Sequence, residues 1–204
     1  MSAATEPREA AHEAHEARGG SILPAAAALV VGIVAVDQYT KHLAVTRLVR
    51  HVPVDVVGET VRWTLTYNPG AAFGMHFGEA SRVVFTVLTF VILGFLVRLY
   101  RSLPASERAL RLAIAAVMGG ALGNLIDRFR SPLGVVDFID VGVGDARFWT
   151  FNVADSAVSV GAVLLVLLLW RYEGRVHAAQ EAAARDREHA AAPGAADEVG
   201  AARP

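Results

Sequence analysis

Four long apolar runs constrain the fold of this 204-residue chain more than any other feature. They cover about residues 22–45, 83–100, 110–129 and 153–172, and each is long enough to cross the hydrocarbon core of a bilayer as a helix. Hydrophobic residues make up 54% of the sequence and charged residues only 19%, with the charges gathered mainly outside the runs. The sequence therefore predicts an all-α polytopic membrane protein with four transmembrane helices.

The segments outside the apolar runs exclude several classes of protein. A net charge of −1 gives no reason to expect nucleic acid as a partner, and the absence of cysteine excludes a thiolate nucleophile and cysteine metal ligands. Residues 1–20 are polar and of mixed charge, unlike a cleavable signal peptide, so we expect a cytoplasmic tail followed by a self-inserting first span. We expect residues 21–172 to form one domain and residues 173–204 a disordered cytoplasmic tail.

The positive charges predict the orientation in the membrane. Arginines cluster in the short link between the second and third spans and again after the fourth span, at Arg98, Arg101, Arg108, Arg111, Arg171 and Arg175. By the positive-inside rule, this link and both chain termini are cytoplasmic. The two longer connections then lie on the outer face. The first of them contains two alternating, strand-like segments, 52–57 and 61–67, separated by a Gly58-Glu59 turn.

Polar residues near the outer ends of three spans are predicted to converge. Asp37 and Lys41 lie one helical turn apart, acid first, which favours an ion pair. Asn124 and Arg128 end the third span, and Asp155 opens the fourth. The outer connections add further candidates, namely Asn68 and Gly70 in an Asn-Pro-Gly turn, Asp137 in Val-Val-Asp-Phe, and Asn152. For Asp127 we favour a structural clamp with Arg128.

Asp137 and Asp155 are the candidate catalytic pair. Carboxylic acids in apolar surroundings near a membrane are costly to keep and usually mark function. Two adjacent carboxylates share one proton, so one can activate water while the other polarises a carbonyl and protonates a leaving nitrogen. Because helix N–H groups favour an ionised acid, we assign Asp155 as the base and Asp137 as the proton holder. Asp140 is the rival for Asp137, and we expect Asp140 and Asp145 to be solvated.

Other hydrolytic chemistries have weaker support in the sequence. Ser156 has no evident base beside it, and the histidines lack the spacing of metal ligands. We therefore expect neither a metal site nor a cofactor. Without further information, an ion- or proton-coupled transporter or a non-enzymatic scaffold also stays open. The transporter would predict acids throughout the membrane depth, and the scaffold leaves the polar motifs unexplained.

Five motifs in order resemble the lipoprotein signal peptidases, also called signal peptidase II. They are DQYTK (37–41), YNPGAAFG (67–74), GNLIDR (123–128), VVDF (135–138) and FNVADS (151–156). The resemblance covers about residues 22–172. One departure is the segment 130–133 between GNLIDR and VVDF, which is slightly longer than usual.

The resemblance implies an intramembrane aspartic endopeptidase. Its substrate would be a diacylglyceryl-modified bacterial prolipoprotein, cut before the lipidated cysteine, and globomycin-type antibiotics would inhibit it. It would be a multi-pass protein of the bacterial cytoplasmic membrane, in contact with membrane lipids and expected to be a monomer. The fold would add a small extracytoplasmic β-cradle. The catalytic aspartates would be Asp137 and Asp155, and the polar contacts to substrate would come from Asp37, Asn68, Asn124, Arg128 and Asn152. Beside these we expect Lys41 and Gly70, from the same motifs, to bind substrate.

Overall fold

The computed structural model describes residues 23–70 and 80–191. It divides into two compact units, one ending at Leu165 and one beginning at Val166. The helices are α1 (Leu23–Arg47), α2 (Ser81–Ser102), α3 (Arg108–Arg130) and α4 (Val153–Ala191), and the strands are β1 (Val54–Val57), β2 (Val61–Asn68), β3 (Val135–Val143) and β4 (Ala146–Arg147).

All four helices are long and apolar enough to cross a membrane, which confirms the predicted fold class. Their bounds extend the predicted spans by a few residues, except that α4 continues well past residue 172. The structure differs there from the expected disordered tail, because residues 173–191 are helical. That segment is rich in alanine, glutamate and arginine, which are strong helix formers. Residues 1–22 and 192–204, which include the rest of both predicted tails, lie outside the described residues.

Small residues bring α3 close to its neighbours, as their spacing predicts. A Cβ atom on Gly119 would lie 3.1 Å from Cβ of Ile33 in α1. A Cβ atom on Gly120 would collide with the backbone of α4. On α4, Gly161 is similarly closed by Val117, 2.9 Å from where its Cβ would stand. The backbones of these helices can therefore approach closely enough for short polar side chains to meet between them.

A four-stranded sheet lies on this helical framework. The strands follow the order β1-β2-β3-β4, and every neighbouring pair is antiparallel. The predicted hairpin is confirmed, with Gly58 at a φ of 50° in the turn between β1 and β2. A buried apolar cluster joins the sheet to α1 through Ala44, Leu65, Val136 and Phe138. The small sheet predicted beside the helices is therefore present.

The strand that carries Asp137 was not predicted from the sequence. Residues Val135–Val143 pair with β2, placing Asp137 opposite Thr66 and Asp140 opposite Arg62. The first five residues after Gly134 are almost all buried, and such a strand lacks a regular apolar–polar alternation. Gly134 has a φ of 103°, and a Cβ atom there would collide with Asn68, so the start of β3 depends on this glycine.

Candidate active site

Asp155 lies in the first turn of α4, next to the residue that caps this helix. Asn152 precedes the helix, and its Oδ1 accepts a 2.8 Å hydrogen bond from the backbone N–H of Asp155. In return, Asp155 Oδ2 accepts a 3.1 Å bond from the backbone N–H of Asn152. This reciprocal pair is a capping box built from asparagine and aspartate. The local sequence Asn-Val-Ala-Asp therefore starts the helix and fixes one carboxylate oxygen of Asp155.

Asp137 is held by two amide side chains. Asn152 Nδ2 donates a 2.7 Å hydrogen bond to Asp137 Oδ1, and the Asn68 side chain also bonds to this carboxyl group. Asn68 is oriented in turn by Gly70, whose N–H donates to Asn68 Oδ1 at 3.0 Å. The Asp137 side chain is almost fully buried. Burial, reinforced by the nearby charge of Asp155, raises the pKa of Asp137 to about 7 despite these hydrogen bonds.

Asn124 connects Asp155 to the rest of the site. Its Nδ2 donates a 2.7 Å hydrogen bond to Asp155 Oδ1. Its Oδ1 accepts bonds from Lys41 Nζ at 2.8 Å and from Asn152 Nδ2 at 3.1 Å. Because Asn152 Nδ2 also bonds Asp137, the two amides join both candidate catalytic carboxylates in one network. The structure therefore brings Asp137, Asp155, Asn124 and Asn152 together, as the sequence motifs indicated.

Lys41 lies at the centre of a buried ion-pair cluster that adjoins this network through Asn124. Its Nζ lies 2.9 Å from Asp37 Oδ2 and 2.8 Å from Asp127 Oδ2, and the residue is only 3% exposed. The predicted Asp37–Lys41 ion pair is therefore confirmed. Asp127 is a clamp as predicted, but its cationic partner is Lys41 on α1, which the sequence could not indicate.

The carboxylates that Lys41 binds also hold the backbone beside each candidate catalytic residue. Asp37 Oδ1 accepts a 2.9 Å hydrogen bond from the N–H of Ala154, next to Asp155. Asp127 Oδ2 accepts a 3.1 Å bond from the N–H of Val136, next to Asp137. The start of α4 and the start of β3 are thus both tied to one buried lysine. This arrangement fixes the relative position of two acids that lie on different elements.

Gln38 belongs to the same cluster and was missed from the sequence. Its Nε2 donates to Asp127 Oδ1 at 2.9 Å, to Asp37 Oδ2 at 3.2 Å and to the carbonyl of Gly123 at 3.2 Å. The residue stands inside the DQYTK motif, directly after Asp37. Its place in that motif was the only available signal, since an isolated glutamine on a helix is normally an exposed polar residue.

Arg128 faces the pair without being part of the buried cluster. Its charge acts on Asp155, Asp127 and Asp137, and its guanidinium lies 6.0 Å from the centre of the Phe85 ring. The Nε atom is buried and has no hydrogen-bond partner within the described part of the chain.

Gly70 has a φ of 115°, and a Cβ atom there would be 3.0 Å from Phe85 and 3.1 Å from Ser81. Glycine is therefore required for the turn to pack on α2.

Asp140, the rival for the catalytic role, lies in a different environment from Asp137. It bonds Arg147 Nε at 2.6 Å and Thr64 Oγ1 at 2.9 Å, with Arg62 at 3.5 Å. The prediction that Asp140 is solvated is wrong, because these groups bury and pair it, whereas Asp145 is exposed as expected. Burial opposes ionisation, but the bonds and charges of Arg147, Thr64 and Arg62 outweigh it and lower the pKa of Asp140.

The fold and the site together define a polytopic membrane protein in which a buried and a half-buried aspartate lie where the helices meet a small sheet. Two asparagine side chains connect these aspartates by hydrogen bonds. A family model described as signal peptidase II matches residues 29–171. The lipoprotein signal peptidase of Desulforapulum autotrophicum is 39% identical over 66% of this chain and 84% of that protein. The lipoprotein signal peptidase of Syntrophotalea carbinolica is 43% identical over 68% of this chain and 86% of that protein.

Solved structures agree with this match. A bacterial membrane enzyme determined at 2.3 Å resolution superposes with a TM-score of 0.65 at 31% identity, covering 72% of this chain and 88% of that one. A second, at 1.9 Å, gives 0.64 at 32% identity, covering 72% and 92%. The chain belongs to the signal peptidase II family, and it is therefore a membrane-bound peptidase.

Proposed function

We propose that this protein removes the signal peptides of diacylglyceryl-modified bacterial prolipoproteins. It cuts before the lipidated cysteine by an aspartic mechanism that uses Asp137 and Asp155. Its relatives carry the name lipoprotein signal peptidase, which supports the substrate class. The observation that carries the mechanism is the network of Asn124 and Asn152, which joins the two carboxyl groups while giving them different surroundings.

The different surroundings support different roles for the two acids. Asp155 accepts hydrogen bonds from Asn124 and from the N–H of Asn152, and it lies at the positive end of the α4 dipole; each of these interactions favours the carboxylate form. Asp137 is buried on a strand, and its pKa of about 7 leaves it protonated in much of the population at neutral pH. We therefore assign the base to Asp155 and the acid to Asp137.

The reaction then proceeds in two balanced steps. Asp155 takes a proton from water as the oxygen attacks the scissile carbonyl, and Asp137 gives its proton to the carbonyl oxygen. In the second step the carbon–nitrogen bond breaks, and the proton on Asp155 passes to the leaving nitrogen, which differs from the expectation that Asp137 donates it, because Asp137 gave up its proton in the first step. Asp137 recovers a proton from the diol as the new carboxyl group forms. The pair returns to its starting state without a metal or a cofactor.

The remaining site residues divide between holding the pair and meeting the substrate. Asp37, Lys41, Asn124 and Asn152 bond one another, the two aspartates and the neighbouring backbone, which supports a positioning role. Arg128 retains a buried Nε with no partner in the residues described, so we assign it to the peptide backbone of the substrate. Asn68, with Gly70 behind it, borders Asp137 and is the second candidate for a direct contact. Globomycin-type inhibitors would occupy the same contacts.

The proposed orientation follows from the arginines. The link between α2 and α3 is cytoplasmic by the positive-inside rule, which puts both termini inside and the aspartates near the outer face. A lipidated cysteine keeps its acyl chains in the bilayer while its peptide bond lies near that surface. The substrate can therefore enter laterally, and each buried methylene contributes about 0.8 kcal/mol to binding.

The deciding experiment is cleavage of a diacylglyceryl-modified prolipoprotein by the purified protein. Asp137→Asn and Asp155→Asn should each lose at least about 1,000-fold in kcat, since each removes an acid or a base from the reaction. Asp140→Asn is the matched control on the same strand and should stay within about tenfold. Unfolding temperatures of all variants show whether each is folded.

Two outcomes would contradict the proposal. If Asp137→Asn cuts normally and Asp140→Asn is inactive, the catalytic acid is Asp140, three residues further along the same strand. If every variant cuts like the wild type, the aspartic mechanism itself is wrong. Inhibition by globomycin gives an independent check on the substrate site.

A further inference from the structure

A large cavity lies at the end of the helices remote from the aspartates. It has a volume of about 800 Å³ and is formed by the first part of α1, the last part of α2 and the first part of α3. Its long wall is apolar, with Ala27, Val30 and Val31 from α1 and Met118 from α3. Val31 is 66% exposed, so the cavity opens towards the surroundings of the helices.

One end of this cavity is strongly basic. Arg101 at the end of α2 and Arg111 near the start of α3 both line it, together with Tyr100. Arg101 also lines a neighbouring cavity of about 500 Å³ with Arg98, so the positive charge continues along α2. Described acidic side chains are missing from the lining of both cavities. The combination is an apolar channel that leads to a cluster of cations.

Two buried polar atoms at the basic end have no hydrogen-bond partner among residues 23–70 and 80–191. The guanidinium of Arg111 lies 4.9 Å from the centre of the Tyr100 ring and donates to the carbonyl of Leu103 at 2.5 Å, which holds the side chain in place. Arg111 Nε and the Tyr100 hydroxyl are both buried without a hydrogen-bond partner in the described residues. Buried donors without acceptors are costly, so a ligand that supplies acceptor atoms at this end of the cavity would be stabilised there.

We propose that the cavity binds a membrane phospholipid with an anionic head group. One acyl chain would lie along the apolar wall of α1 and α3, and the phosphate would stand at Arg101, Arg111 and the Tyr100 hydroxyl. Arginine binds phosphate oxygens well, and basic pockets between membrane helices recognise lipid head groups. A soluble anion would leave the apolar wall empty. The proposal concerns a site separate from the aspartates and does not depend on the proposed peptidase mechanism.

Native mass spectrometry of the full-length, delipidated protein tests this site. Phosphatidylglycerol and phosphatidylcholine with identical acyl chains are titrated separately, so the comparison isolates the charge of the head group. We expect one phosphatidylglycerol to bind at least about fivefold more tightly than phosphatidylcholine. Arg101→Gln should weaken phosphatidylglycerol binding by about fivefold, because Arg101 is exposed at the basic end. Arg171→Gln, an exposed arginine of α4 outside the cavity lining, is the matched control and should bind as the wild type.

A second variant tests the apolar wall without changing charge. Ala27→Trp fills the channel at an exposed position and should lower the affinity for both lipids at least about fivefold. Equal affinities for the two lipids, or equal losses in Arg101→Gln and Arg171→Gln, would overturn the proposal. Unchanged binding in Ala27→Trp would overturn it as well. So would a dimer that dissociates only in Ala27→Trp, because a second copy of the chain would then occupy the cavity.

Discussion

Strand β3 carries two aspartates three residues apart, and they meet opposite electrostatic environments. Asp137 accepts hydrogen bonds from neutral amides and lies near a second acid, while Lys41 and Arg128 act on it only through their charges. Burial and the charge of Asp155 raise its pKa to about 7. Asp140 binds two arginines and a threonine, which lower its pKa. Both side chains are nearly inaccessible to solvent. Burial alone therefore does not determine protonation, because the partner groups decide whether the buried acid keeps its charge.

The difference in pKa also suits Asp137 to proton transfer and Asp140 to a structural role. A carboxyl group with a pKa near 7 can give and take protons at neutral pH. A carboxylate held by arginines stays ionised and serves to bind neighbouring segments. Arg147 bonds the side chain and the backbone of Asp140 and also the carbonyl of Glu59, so it ties β3 to the β1–β2 turn. Odd spacing on a pleated strand places the two acids on opposite faces, which keeps the environments apart.

Removing one hydrogen-bond donor from Asp137 and one from Asp140 should give the largest difference in kcat. Asn152→Ala deletes the donor to Asp137 and the cap of α4, and we expect kcat to fall about 100-fold because the pair loses its relative position. Thr64→Val deletes one donor to Asp140 and should change kcat by less than about twofold. Single-turnover cleavage with folding controls measures both.

Asn152→Ser distinguishes the two functions of Asn152. Serine is an equally good helix cap and adds no charge at this buried position, but it lacks the amide that donates to Asp137. Activity should stay low although the unfolding temperature falls less than in Asn152→Ala. Full recovery of activity in Asn152→Ser would show that only the helix cap matters.

The pH dependence of cleavage should follow Asp137 and not Asp140. If Asp137 is the acid, kcat/KM falls about tenfold per pH unit above about pH 7, because the proton is lost there. The pKa of Asp140 is lowered, so its titration lies far from this limb, and Asp140→Asn should keep the same profile. A constant kcat/KM between about pH 6 and about pH 9 would contradict the assignment of the acid.

Stability should respond to pH with opposite signs at the two sites. The folded state binds the Asp137 proton more tightly than the unfolded chain, so stability falls as pH rises from the ordinary carboxyl range to about 7. Asp137→Asn should therefore raise the free energy of unfolding by about 1 to 2 kcal/mol above pH 7. Asp140 contributes stability above its ordinary pKa range that is lost in acid. Asp140→Asn should thus destabilise the protein at neutral pH.

Thermal unfolding in detergent at about pH 5 and about pH 8.5 checks both signs. The benefit of Asp137→Asn should be smaller at the lower pH, where the wild-type acid is already neutral. A loss of stability in Asp137→Asn at the higher pH would contradict the environment assigned to it.

Replacement of the two arginines at Asp140 should give the smallest difference, which is a difference in the free energy of unfolding. Arg147 bonds Asp140 Oδ1 at 2.6 Å, whereas Arg62 approaches Oδ2 only at 3.5 Å, and each side chain is about one fifth exposed. We expect Arg147→Gln to cost about 1 kcal/mol of unfolding free energy and Arg62→Gln less than about 0.5 kcal/mol. Chemical denaturation of the two variants makes the comparison. Equal losses would mean that charge alone, and not hydrogen-bond geometry, holds Asp140.

The sequence by itself determined the helices and most of the members of the site. Apolar length defines a membrane span, because a helix in lipid must satisfy its own backbone hydrogen bonds. The four helices could therefore be placed within a few residues, except for the C-terminal end of α4. The β1–β2 hairpin follows from alternation around Gly58. Local order also gave the position of Asp155 at the start of α4 and the Asp37–Lys41 pair, since both depend on residues within one helical turn.

Only the tertiary structure decided how these residues hold one another. Lys41 meets Asp127 and Asn124 across more than 80 positions of sequence, and Asp37 reaches the N–H of Ala154 across 117. No local pattern encodes such contacts, because they depend on the glycines that let α3 approach α1 and α4. The same holds for β3, whose buried residues show no alternation, and for Asp140, whose arginines come from neighbouring strands. The protonation of an acid depends on the groups that surround it in the folded chain. The sequence therefore identified the candidate acids, but only the fold determined how each one's pKa is shifted.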